Sequence, residues 1–292
     1  MDKILNNYLT HNDISFVKNK RYLQIEKLVQ FLRSKNINFY INKDKFFTSK
    51  SYLAYSLISY TEIIEDIEKY TSDKIEFEEL ENNINNISKR LDSINHNIVI
   101  SNYKTNLFID NNLFDDSLDI INNTSFIFLK DYIGNISILK HVNPNETIHN
   151  HSDDFHMNAI FTDYVKNGKI QNAEILIHES AHIYLNIFLE SNNITLDDSR
   201  LYLYAPWKSE IKRPERGFLH GVFAFSTVLS FYKELVQNNQ DFSFDEIGFI
   251  KSYIEHRESQ IVNVKEDAIN VLKKYPKKLE NLILEVLEKA DR

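Results

Sequence analysis

The segment His178-Glu179-Ser180-Ala181-His182 sets two imidazoles four residues apart with a carboxylate beside the first. In a helix, residues four apart share a face one turn apart, with Cβ atoms about 6 Å from each other. Two imidazoles so placed can converge on one divalent ion at about 2.0–2.1 Å. Glu179 projects beside that face, where a carboxylate could take a proton from metal-bound water or steer a ligand. Cysteine is absent. That removes disulfides, thiolate ligands and thiol nucleophiles together, and leaves His, Asp and Glu as the strong ligands.

A catalytic metal needs a third protein ligand. The pattern with a further Gly and His soon after the second His is missing, for Leu185 and Phe188 stand there. Glu210 and Glu215 are the carboxylates that another zinc class would recruit, although they lie later than that class usually shows. His220 opens an apolar helix and is the favoured third ligand. His149, His151 and His156 form a second cluster, but alternate residues share a face only in a strand, and this polar segment reads as loop.

The surroundings of His220 favour it. Between Tyr204 and Phe225 the chain places its single Trp (Trp207), two of its four Pro (Pro206 and Pro214) and two of its five Gly (Gly217 and Gly221). Scarce conformational punctuation gathered in one span specifies a loop path. Gly217 and Gly221 lie four apart, on one helix face, which allows close approach of another group. Arg213 and Arg216 carry planar forks suited to a carboxylate.

The pairing of His-Glu-x-x-His with a downstream Tyr-x-Pro-Trp-basic, Arg-Pro and Gly-x-x-His-Gly-x-Phe-x-Phe resembles the 2-oxoglutarate-dependent HExxH-type peptide β-hydroxylases, which act on ribosomally made peptides. The resemblance covers about residues 173 to 230. It implies Fe(II) held by His178, His182 and His220, with 2-oxoglutarate as cosubstrate. It further implies that a basic residue near the Arg-Pro step grips the cosubstrate carboxylate, Arg213 first and Arg216 second, with Trp207 and Lys208 in the same cofactor region. Lys208 stands where the family commonly has Arg, so a point charge replaces a fork. The implied activity is hydroxylation of a side-chain β-carbon in a precursor peptide, with O₂ and 2-oxoglutarate consumed. Three neutral imidazoles would equally suit zinc, so a zinc-dependent peptidase or amidase with Glu179 as general base is the alternative. Residues 1–120 resemble nothing recognisable.

The elements that position these residues follow from periodicity. Hydrophobic residues make up 42% of 292, with 20 Phe and 16 Tyr, enough to build a core without staples. Apolar residues three and four apart predict helices over 22–32, 52–70, 75–98, 172–191, 217–236, 244–274 and 277–289, with Asn172 capping the helix that carries the motif. The runs 125–130 and 136–142, around Asp131-Tyr-Ile-Gly-Asn, predict a β-hairpin. The expected fold is mainly α (α+β): a helix-dominated domain with a small antiparallel β insert and the metal on a central helix. A helical N-terminal region of 1–120 would precede a catalytic domain of 121–292. The net charge of -8 with scattered Lys and Arg argues against a nucleic-acid face. No run reaches the roughly 18 apolar residues of a membrane span. Met1 to Asn7 lack the charged-then-apolar order of a leader, so a cytoplasmic location is expected.

Overall fold

The structure is a computed structural model and describes residues 8–10, 12–17, 19–20, 23, 114–129, 137–140, 152, 159–162, 165, 168–208, 212–238 and 242–292. The helices expected over 52–70 and 75–98 lie outside the described residues, as do His149, His151, His156 and Glu210; of 22–32 only residue 23 is described, in helix. The chain divides into two compact units: Met1–Ile14, Phe114–Asp131 and Val165–Arg292 form one, Ser15–Leu113 and Tyr132–Tyr164 the other. The boundary placed near residue 120 falls inside the first unit, within helix α1 (Asp115–Asn122).

The first unit is mainly helical. Helix α2 (Lys169–Ser191) begins three residues before the expected start, with Gly168 at its N-cap. Asn172 is therefore not the cap. Its buried amide instead accepts from the Val165 N–H at 3.0 Å and donates to the Val165 carbonyl at 2.9 Å, pairing with both main-chain groups of one residue as a neighbouring strand would. Gly168 is required beside that clamp, because a Cβ there would stand 2.5 Å from Val165 Cγ1. The far end of α2 closes in a Schellman motif. Asn193 takes φ 52°, its N–H donates to the Glu190 carbonyl at 3.1 Å, and Ile194 N–H donates to the Leu189 carbonyl at 2.8 Å.

Helix α3 (Glu215–Gln237) buries Phe218, Leu219, Val222, Phe223, Val228, Phe231, Tyr232 and Leu235, and packs on α2, on α4 (Phe244–Leu272) and on α5 (Lys277–Asp291). Fully burying each large apolar side chain is worth about 1.5–3 kcal/mol, so α3 is the element on which the unit condenses. Ser243 and Glu246 close a capping box at the start of α4, and Pro276 precedes α5, where its missing N–H is harmless. These helices match the expected ones to within two or three residues.

The predicted hairpin is not formed. Residues Ser125–Leu129 make a 3-10 helix. Its first N–H and the Ser125 hydroxyl both donate to the Glu234 carboxylate of α3, at 2.6 and 2.5 Å, so a distant acid caps this turn. In the second unit, β1 (Ser137–Lys140) pairs in parallel with β2 (Ala159–Thr162), Ser137 opposite Ala159 and Lys140 opposite Thr162. Parallel pairing needs a long connection, and 18 residues (141–158) separate the two strands in sequence. The antiparallel sheet of the fold lies elsewhere, a two-residue ladder in the first unit between β3 (Leu203–Tyr204) and β4 (Lys212–Arg213). It pinches the base of the loop that carries Trp207.

Candidate metal centre

His178 and His182 lie one turn apart on α2, their Nε2 atoms 3.1 Å from each other. Two ligands at about 2.1 Å on one ion stand about 3.0 Å apart at a right angle and about 3.4 Å at a tetrahedral one. The pair therefore has a ligand-like separation, which in a metal-free protein also suits a single N–H···N hydrogen bond. His220 comes from α3, its ring 5.6 Å from the His182 ring and inclined by 24°. Its buried Nε2 has no hydrogen-bond partner. An orphaned buried nitrogen costs about 1–3 kcal/mol, and a metal would satisfy it. Among the described residues no three His, Asp or Glu side chains are already closed around one point; the preformed part is the α2 pair, with the third imidazole alongside.

Charge suits metal as well. Burial drives the His182 pKa down to about 4. Burial, then His182, then Arg257 hold His178 well below the ordinary range, and burial, then His182, then Arg216 do the same for His220. All three are neutral near pH 7, with lone pairs to offer. An all-imidazole donor set fits a borderline divalent ion such as iron or zinc.

The other predicted residues fall into two groups. Glu179 is buried at 2% exposure on α2. Arg216 stands one turn before His220 on α3 and acts on it electrostatically. The Trp207 ring lies 5.3 Å from that of Phe225, which itself lies 4.6 Å from His178. Lys208 is exposed, and Arg213 lays its Cδ against Gly217. Glu215, one of the alternative ligands, is engaged elsewhere. Its buried carboxylate accepts from Tyr202, from Lys274 and from Tyr275 at 2.5 Å, which ties the start of α3 to the end of α4.

The two helical glycines separate sharply. A Cβ at Gly221 would stand 2.4 Å from the Trp207 ring, whereas at Gly217 the nearest atoms are at an ordinary 3.7 Å. We expect Gly221→Ala to destabilise the protein by about 1–3 kcal/mol through overpacking. Gly217→Ala should be neutral or stabilising by up to about 1 kcal/mol, since it removes unfolded-state freedom. Paired denaturant melts test this; equal midpoints for the two variants would show that the indole is not seated on α3.

Sequence reasoning missed two residues. Glu174 precedes His178 by one turn on the same face and accepts from Tyr232 Oη at 2.9 Å. Burial raises its pKa, against the opposing effects of Tyr253, Tyr232 and Arg257. Arg257 of α4 sets its guanidinium 4.1 Å from the Phe225 ring centre. Arg257 sits in the highly charged run Glu255-His-Arg-Glu, which looks like a solvated face. The only signal was its spacing from Tyr253 and Gln260, which places all three on one side of α4. No protein-family model matches the chain, and no curated protein is detectably similar to it.

Proposed function

We propose that the chain is an Fe(II)- and 2-oxoglutarate-dependent oxygenase that hydroxylates a side-chain β-carbon of a ribosomally made peptide. The observation that supports this best is the donor set. The His178–His182 pair stands with the neutral His220 imidazole alongside, and Glu215, one of the two downstream acids that could replace it, is engaged by three other donors. In this reading His178, His182 and His220 hold the iron. Bound iron supplies the transfer of one atom of O₂ to a C–H bond, with 2-oxoglutarate leaving as succinate and CO₂. The protein's part is to keep the imidazoles unprotonated by burial and to exclude water with Phe225 and Trp207. Glu179, buried next to His178 on α2, would act in support of the centre or on the peptide.

The alternative of a zinc peptidase or amidase keeps the α2 pair and makes Glu179 the general base, but Glu215, one downstream carboxylate it could recruit, is engaged elsewhere. Anaerobic protein loaded with Fe(II) should bind 2-oxoglutarate with a visible charge-transfer absorption. On admission of air it should release succinate, and one oxygen atom should be added to the peptide when that is present. Failure of the iron-loaded protein to bind 2-oxoglutarate, together with peptide cleavage by the zinc-loaded protein, would overturn the reading.

A further inference from the structure

Tyr253, Arg257 and Gln260 line one face of α4, four and three residues apart, and Arg257, between the other two, lies over the ring that packs on His178. Tyr253 packs on Tyr232 with ring centres 4.4 Å apart and planes inclined by 46°. Gln260 accepts from Arg257 Nη1 at 2.5 Å and donates to the Pro206 carbonyl at 3.0 Å, at the foot of the Trp207 loop. Between them the Arg257 guanidinium lies over Phe225, 4.1 Å from its centre, and 5.1 Å from the centre of the Tyr253 ring. Phe225 in turn packs on His178.

The electrical state of Arg257 is unfinished. Its Nε is buried with no acceptor, and among the described ion pairs none includes it. Glu174 acts on it only at a distance, its carboxylate being hydrogen-bonded to Tyr232. A guanidinium is always charged and presents a fixed fork for a carboxylate. Glu174 supplies a counter-charge without pairing directly with the fork, and leaving Nε desolvated with no acceptor is costly unless a ligand completes it. The Phe225 ring bridges the gap, so the fork lies within the sum of two ring-contact distances of His178. A five-carbon dicarboxylate covers that span, with a metal bond of about 2.1 Å at one end and a charge-assisted hydrogen bond of about 2.8 Å at the other. The aromatic wall between suits its methylene groups.

We infer that Arg257, held by Gln260 and Tyr253, is the clamp for the far carboxylate of a metal-bound 2-oxo dicarboxylic acid, and that Phe225 is the floor along which its carbon chain lies. The inference rests on the oxygenase reading and goes beyond it by moving the anion grip from the Arg-Pro step to α4.

The test compares two 2-oxo acids that chelate alike but differ at the far end, 2-oxoglutarate with a second carboxylate and pyruvate without one. Each is titrated anaerobically into the full-length Fe(II)-loaded protein and followed by charge-transfer absorption. Arg257→Gln should weaken 2-oxoglutarate roughly ten- to a hundredfold, the worth of a charge-assisted pair, while leaving pyruvate affinity and iron content unchanged. Arg257→Lys, which keeps the charge and stem but loses the fork, should fall between. Unchanged 2-oxoglutarate affinity, or equal weakening of both acids in either variant, overturns the clamp and leaves the oxygenase reading intact. Binding of neither acid by the iron-loaded parent protein overturns the reading and the clamp with it.

Discussion

His220→Ala is expected to leave a folded protein that no longer retains its metal. The imidazole it removes makes no hydrogen bond through Nε2, so no protein partner of that atom is stranded, and the change costs mainly packing. Loss of metal is a different matter. Residues that merely orient a ligand cost about ten- to a hundredfold in affinity when removed, and a ligand itself should cost more than that. Metal content by elemental analysis, with melting temperature beside it, separates the two effects. A merely packed histidine would give the reverse pattern, a lower melting temperature with full metal occupancy, and that outcome would remove His220 from the ligand set. The burial that keeps the three imidazoles neutral adds a second readout. Ordinary histidines compete for protons below about pH 6.5 and lose metal there. Here the lowered pKa values, about 4 for His182, mean that affinity should stay nearly flat from pH 7 to about 5.5. A fall beginning at pH 6.5 would show that the buried, neutral arrangement does not describe the protein in solution.

What the sequence revealed of this site, and what it hid, follows from how local each signal is. The helices α2 to α5 were legible because their apolar spacing repeats over four to eight turns, so a few wrong residues do not blur the period. The α2 pair was legible for the same reason, as a spacing within one helix. The 125–129 segment was not. A short apolar run of five residues has no period to measure, and what decides it is Glu234, more than a hundred residues away, closing on its first N–H. The partner of β1 was equally hidden, since a parallel neighbour lies across a crossover and leaves no turn signal. Asn172 failed as a cap because an amide can satisfy a backbone unit outside the helix as well as one within it. The glycines at 217 and 221 look identical in sequence, and only the seat of Trp207 tells them apart. Arg257 shows the limit most plainly: a charged residue among charged residues carries no mark until Phe225, 32 positions earlier on another helix, is found beneath it.

Glu179→Gln should separate the two enzyme classes more decisively than any other single change. Glu179 is buried beside the α2 pair, and the amide preserves its shape while abolishing its ability to accept a proton at neutral pH. A hydrolase needs this carboxylate to take the proton from metal-bound water, so the variant would lose about 10²- to 10⁴-fold in turnover with its metal still in place. An oxygenase draws its driving force from O₂ and the 2-oxo acid and needs no base to activate water. In that case Glu179→Gln should hold iron, bind 2-oxoglutarate and release succinate within about tenfold of the parent protein, a loss no larger than that of one hydrogen bond. Any larger effect should appear only when the peptide is present, as succinate released without a matching hydroxylated product, because a carboxylate that orients the peptide governs coupling rather than cosubstrate consumption. Succinate release that collapses by a hundredfold or more without peptide, in a variant that still holds its iron, would show that Glu179 acts on the cosubstrate step itself and would remove the peptide-orienting role assigned to it.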